Sequence, residues 1–279
     1  MIFILPEPDR NFTINQIFLN LYHQHPEMRL YDGDGVRVNF IISGSLPQVS
    51  YTGEVNNIGP LMFHGNCMNM FKGYHETGAA VTIDCSSHLI TDFNNYDVMG
   101  NMALSIGNGY GDTGIKVSNN YAYDYFHAKY PNCRMIAAAH YTDDPGDRVF
   151  FLKEMWSDID NTLIKSPRVA IRINSICDSC DIEQRMKCLE SENLNATMFS
   201  NVSVLQSCSK CHANINAFAA QNDFLPSLQQ EGFKNFILPN YYQYPILQAQ
   251  EYVKNLIKPE YQQIALNHIM LIWQTEGKK

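Results

Sequence analysis

The sequence predicts an α/β fold of the (β/α)8 TIM-like barrel type, on three observations. Short apolar runs alternate with amphipathic stretches, the pattern of repeated strand–helix units around a largely parallel sheet. The runs number about eight, enough to close a barrel. The 279 residues suit one such domain, and no Pro- or Ser-rich linker divides them. A single domain over 1–279 is therefore expected, finishing in helices within 245–273.

Taken in order, Ile2–Leu5 is the first strand, ended by Pro6-Glu7-Pro8. Ile14, Ile17, Phe18, Leu21 and Tyr22 recur at helical spacing, predicting a helix over Phe12–Tyr22 capped by Asn11 or Thr13. Val36–Ile42 is the second strand, and Pro47 to Pro60 reads as loop. Met68–His75 is a helix stopped by Gly78, and Ala80–Asp84 a buried strand. Val98–Ile106 is a helix ended by the Gly107–Gly114 loop. That glycine-rich loop precedes a strand, whereas a dinucleotide fingerprint follows one, so it reads as a connection. Gly114–Ser118 is a strand, Asn120–Tyr130 a helix and Met135–Ala139 a strand. Between Asp147 and Pro167 two readings stand: a strand at Val149–Leu152, or a helix running through Trp156. Arg168–Ile173 is a strand, Ser227–Glu231 closes a helix at Gly232, and Phe236–Leu238 is the last strand. Pro245–Leu256 and Tyr261–Trp273 are the closing helices.

A net charge of −8 with scattered Lys and Arg disfavours a nucleic-acid partner, which clustered basic residues would hold by its phosphates. No apolar run approaches the roughly 18 residues that span a membrane. Met1–Pro6 has neither a basic start nor a long apolar core, so the eight cysteines are expected in a reducing, cytoplasmic compartment. Matches to the glycosylation pattern at Asn11, Asn195 and Asn201 are attributed to chance in an Asn-rich chain.

The strongest chemical signal is two Cys-x-x-Cys pairs, Cys177/Cys180 and Cys208/Cys211. Two such turns supply four thiolates for one metal centre, which zinc and an iron–sulfur cluster both accept. The competing reading is four buried thiols packed as small apolar residues. Cys188 or His212 could replace a ligand; Cys67, Cys85 and Cys133 read as packing residues, with Cys85 also placed to face a barrel mouth. Polar residues at the predicted strand ends, namely Glu7, Ser43, Asp84, Asn119, His140 and Asn174, are the candidates for chemistry, since a barrel gathers strand ends around one mouth. Of these, Asp84, Asn119, His140 and Asn174 are the expected catalytic set, with His140 as general base because imidazole titrates near neutral pH. Asn119 and Asn120 equally suit caps of the following helix. His64 and His75 flank a helix and read as surface residues, and the aromatic run Tyr241–Tyr244 as either pocket lining or helix packing.

Phe71–Gly78 leads into Ala80–Asp84, then come Gly114–Asn119 with the helix ending Ala128-Lys-Tyr-Pro131, and Asn174-Ser-Ile-Cys177-Asp-Ser-Cys180. Ser207-Cys208-Ser-Lys-Cys211 and Glu231-Gly-Phe-Lys-Asn-Phe236 complete the series. In order and spacing these stretches resemble the U32-peptidase-like TIM-barrel family, whose members include collagenase-like peptidase homologues and RNA- and ubiquinone-hydroxylation proteins. The first pair is Cys-x2-Cys where the family more often has Cys-x3-Cys-Pro. The resemblance implies a [4Fe–4S] cluster on the four cysteines, a small-molecule or peptide substrate, a protein redox partner and oxygen-independent hydroxylation. The alternatives are structural zinc in a non-catalytic binding subunit, or a peptidase; the chain contains neither Gly-x-Ser-x-Gly nor His-Glu-x-x-His.

Overall fold

The computed structural model describes residues 1–6, 12–44, 64–86, 98–155, 166–173, 224–239 and 245–276. Eight parallel strands form a closed barrel in sequence order: β1 (Ile2–Pro6), β2 (Asn39–Gly44), β3 (Ala80–Asp84), β4 (Gly114–Val117), β5 (Arg134–Ala137), β6 (Leu152–Met155), β7 (Val169–Arg172) and β8 (Asn235–Ile237), with β8 pairing back onto β1. Asp84 pairs with Lys116, Lys116 with Ile136 and Ile136 with Leu152. The same offsets carried through β7, β8, β1 and β2 return to β3 eight residues before Asp84. That shear is the one a TIM barrel has. The expected fold class is thus the observed one.

Helices α1 (Phe12–Gln24), α2 (His64–Glu76), α3 (Val98–Tyr110), α4 (Asn120–Lys129), α5 (Phe224–Gln230), α6 (Pro245–Leu256) and α7 (Gln262–Glu276) accompany the strands. No helix among the described residues is long and apolar enough to cross a membrane.

Strand side chains alternate between two apolar environments. Phe3, Leu5, Ile42, Val81, Ile115 and Val117 belong to a large buried cluster that takes in Phe18, Phe126 and Tyr252 of the helices. Ile4, Ile41, Ile136, Leu152, Ala170 and Ile237 form a second cluster made of strand residues alone. The second cluster therefore fills the inside of the ring, and the first glues the ring to its helices.

Several elements differ from the expectation. α2 begins at His64, ahead of the expected Met68, so it contains His64 and His75 rather than being flanked by them. β2 begins at Asn39 rather than Val36, because the chain turns over Gly33–Gly35 with Asp34 at φ 52° and first meets β1 where Ile2 pairs with Asn39. α3 runs on through Gly107 and Gly109 to Tyr110, ending at Gly111 with φ 71°, a conformation that suits glycine after a helix. β6 lies at Leu152–Met155, three residues beyond the expected strand. Phe150 packs instead against Tyr123 and Tyr141, and Phe151 lies under the Arg134 guanidinium. The helix reading through Trp156 is overturned, because Leu152–Met155 is strand β6. The loop expected at 47–60 lies outside the described residues. So does Asn11; Thr13 is inside α1 rather than capping it.

Gly114 sits where the inner face leaves no room. A Cβ there would stand 2.6 Å from Thr82 Oγ1 and 2.9 Å from Ile136 Cδ1. Gly109, within α3, has nothing within 4 Å. Gly114→Ala is expected to cost about 1–3 kcal/mol by overpacking, and Gly109→Ala to stabilise by roughly 0.5–1 kcal/mol through helix propensity. Urea unfolding of the two variants should move in opposite directions.

Candidate active site

Two residues further along the strands than the inner apolar cluster, the interior changes character. Asp84 on β3, Lys116 on β4, Glu154 on β6 and Arg172 on β7 continue the inward-facing positions of Thr82, Gly114, Leu152 and Ala170. Lys116 Nζ donates to Asp84 Oδ2 at 2.9 Å and lies 3.2 Å from Glu154 Oε1. The other Glu154 oxygen accepts from an Arg172 terminal nitrogen at 3.1 Å. Among the described residues, two carboxylates and two cations thus form one connected, charge-balanced chain at the C-terminal end of the barrel, where this architecture places its chemistry. The inner members, Lys116 and Glu154, have side chains only 6% and 1% exposed; the outer members, Asp84 and Arg172, are 18% and 25% exposed.

Asp84 is held as an anion. Burial pushes its carboxyl up, but the Lys116 ammonium and the donors of Ser86 outweigh this and bring it down to about 2. The Ser86 backbone N–H donates to Asp84 Oδ1 at 3.0 Å, and the Ser86 hydroxyl donates to the same oxygen. Burial alone would lower Lys116; the carboxylates of Asp84 and Glu154 reverse that and leave it raised above the ordinary lysine value, with Arg172 opposing. Lys116 is therefore an ammonium and not a neutral amine nucleophile. Asp84, so strongly acidic, is a fixed charge rather than a proton acceptor.

His140 joins the same end from the segment that follows β5. Its Nε2 lies 2.9 Å from the Ser86 carbonyl oxygen. A carbonyl only accepts, so Nε2 carries the hydrogen and Nδ1 is the basic nitrogen of the neutral ring. The segment is pinned on both sides of the imidazole. Ala138 N–H donates to Val117 O and Thr142 N–H to Ser118 O, both at 2.9 Å. Beyond it, Asp143 accepts from Asn120 N–H at 2.8 Å, and the Tyr141 hydroxyl donates to Asn120 Oδ1 at 2.6 Å.

The structure thus brings Asp84 and His140 together through Ser86. Asn119 serves the helix instead, since its Oδ1 accepts from Ala122 N–H at 2.8 Å and caps α4. Ser43 is buried at the end of β2, opposite Pro6 and Thr82. Cys85 packs in the cluster between sheet and helices, not toward the mouth, because strand alternation turns it opposite to Asp84. Cys133, buried at the start of β5, has a thiol that burial pushes up to about 12. His75 is exposed, beside Asp112. Glu7, Asn174, Cys177, Cys180, Cys188, Cys208, Cys211, His212 and the aromatic run 241–244 lie outside the described residues, as do the side chains of His64 and Cys67. Among the described residues no group of three His, Cys, Asp or Glu side chains is placed to hold a metal.

Lys116, Glu154, Arg172 and Ser86 are the residues that strand-end reasoning passes over. Lys116 and Arg172 are each the one charge in an otherwise apolar strand, and Glu154 stands beside Lys153 with alternation turning it inward. No family model, curated protein or solved structure matches the chain.

Glu154→Leu removes the carboxylate that Lys116 and Arg172 share and leaves the buried Lys116 with Asp84 alone; breaking a buried pair on one side costs about 3–5 kcal/mol. The lowered midpoint should appear in urea unfolding at neutral pH. Asp84 releases its proton at about 2 when folded and near 3.8 in its ordinary state, so between those values the unfolded chain binds more protons and stability rises with pH. Wild type should therefore lose roughly 2 kcal/mol more than Asp84→Asn on acidification from about pH 5 to about pH 2. Equal losses in the two proteins would refute the depressed acidity.

Proposed function

We propose that the chain is a barrel enzyme acting on a small molecule or peptide at the C-terminal mouth. In this reading His140 carries the proton, through Nδ1, while Lys116 and Arg172 are fixed cations for negative charge that develops on the substrate. The supporting observation is the Asp84–Lys116–Glu154–Arg172 chain inside the barrel. Four charges taken out of water are no more stabilising than a well-packed apolar filling, and often less so. Ionisable groups arranged at such cost cluster at working sites. Preorganised charges in a water-poor cavity act on a transition state without having to reorient, which is where electrostatic catalysis gains most.

A sulfur-ligated metal centre belongs to the same proposal. Cys177 follows Ile173, the last described residue after β7, by four positions. The four thiolates of Cys177, Cys180, Cys208 and Cys211 are a donor set that fits a [4Fe–4S] cluster, with zinc as the alternative. Such a cluster would supply electron transfer or substrate binding for a hydroxylation without oxygen, the activity implied by the resemblance to U32-peptidase-like barrels. The proton role of His140 does not depend on it.

Ligand-detected NMR against a library of small metabolites and peptides tests the mouth. Binders should move the imidazole signals of His140, identified by their loss in His140→Gln; binders that all leave those signals in place would overturn this reading. Metal analysis and an absorption spectrum of protein purified without oxygen test the centre. Stoichiometric iron and sulfide, lost in a Cys177→Ser/Cys208→Ser double variant, are expected. Zinc in their place would indicate a closed structural site, and neither metal would remove the centre from the proposal.

A further inference from the structure

We propose that the mouth receives a zwitterion, a small molecule of amino-acid type whose ammonium meets Asp84 and whose carboxylate meets Arg172. The inference rests on the reading of the C-terminal mouth as the working end and assigns that site a substrate class. Its ground is the order of charges along the buried chain. The two nearly inaccessible members, Lys116 and Glu154, neutralise each other at the centre, 3.2 Å apart. The two members with access to the mouth, Asp84 and Arg172, are of opposite sign. They stand on β3 and β7, half a turn apart in an eight-stranded ring, so they face one another across it.

The described members of the cluster balance in charge, and such a cluster selects against single charges. An anion at Arg172 would also lie near Glu154, and a cation at Asp84 would lie near Lys116. A ligand carrying both signs satisfies both walls and leaves the total unchanged. Asp84 has acceptor capacity for this: Oδ1 takes both donors of Ser86 and Oδ2 takes Lys116, whereas a carboxylate offers about four acceptor positions. The span also fits. Contacts of 2.9, 3.2 and 3.1 Å in series hold the Asp84 carboxylate and the Arg172 guanidinium within about 11 Å of each other. An α- or β-amino acid hydrogen-bonded at each end covers about 8–10 Å. The fixed acidity of Asp84 agrees with its part, since it stays an anion throughout the neutral range.

The test is calorimetric titration of the full chain at neutral pH with four probes. These are L-alanine, β-alanine, L-alanine methyl ester, which keeps only the cation, and N-acetyl-L-alanine, which keeps only the anion. At least one of the two amino acids should bind saturably, and the single-charge analogues at least about tenfold more weakly. Arg172→Gln should reduce binding of the favoured amino acid at least about tenfold without weakening the binding of the methyl ester. Where that variant does not fold, the probe series on wild type decides alone. Single-charge analogues that bind as well as the amino acids would overturn the zwitterion, and so would four probes that all fail to saturate. In either case, library binders that still move His140 would leave the mouth as the working end, so the two readings fail separately.

Discussion

Charge inside a closed β-ring is the constraint on which the other features depend. Every strand of the ring has its backbone paired on both sides, so its interior side chains reach water only through an end. Lys116 and Glu154 lie across the ring from water with side chains 6% and 1% exposed, and neither could remain ionised alone. Their partners come from β3 and β7, so the four charges are satisfied only when four separate strands hold their registers together. The apolar layer of Ile4, Ile41, Ile136, Leu152, Ala170 and Ile237 beneath them completes the arrangement by closing the ring interior below the charges. His140 and Ser86 stand at the opposite end of the ring from that layer.

The helical shell reinforces that end. Asn15 of α1 donates to the Pro6 carbonyl at the end of β1 and accepts from the Tyr252 hydroxyl of α6. Gln248 of α6 donates to the Pro239 carbonyl just after β8. Both are buried amides, and both hold carbonyls at strand ends that face the mouth rather than the base. A buried amide whose hydrogen bonds are all made is costly to disturb, so these residues fix the rim at the seam where first and last strands meet.

Much of the fold is legible in the sequence, because covered strands are written as local apolar runs. Ala80–Asp84 and Pro245–Leu256 can be read to the residue, and the parallel order follows from strand–helix alternation. β6 is not legible. Leu-Lys-Glu-Met carries two charges in four residues and reads as surface, while the neighbouring Val-Phe-Phe that looks like strand supplies aromatic packing. The charged chain is illegible for a related reason. Asp84 stands out because it ends a strand, but Lys116, Glu154 and Arg172 gain meaning only from one another. Residues 116 and 154 are brought within 3.2 Å by the curvature of the ring, which no local pattern records. His140 stands out for its place after an apolar run, whereas its tautomer follows only from the Ser86 carbonyl beside it.

The seam between β1 and β8 carries a consequence for how the chain is made. β1 pairs on one side with β2 and on the other with residues 235–237. A ribosome delivers the first strand long before the eighth, and during that interval β1 presents an unpaired edge of backbone donors and acceptors. Tyr252, which the α1 amide Asn15 engages, arrives later still. Nascent chains stalled before residue 235 should therefore be the ones that chaperones hold, and release from the exit tunnel, rather than growth of the core, times the closing of the ring.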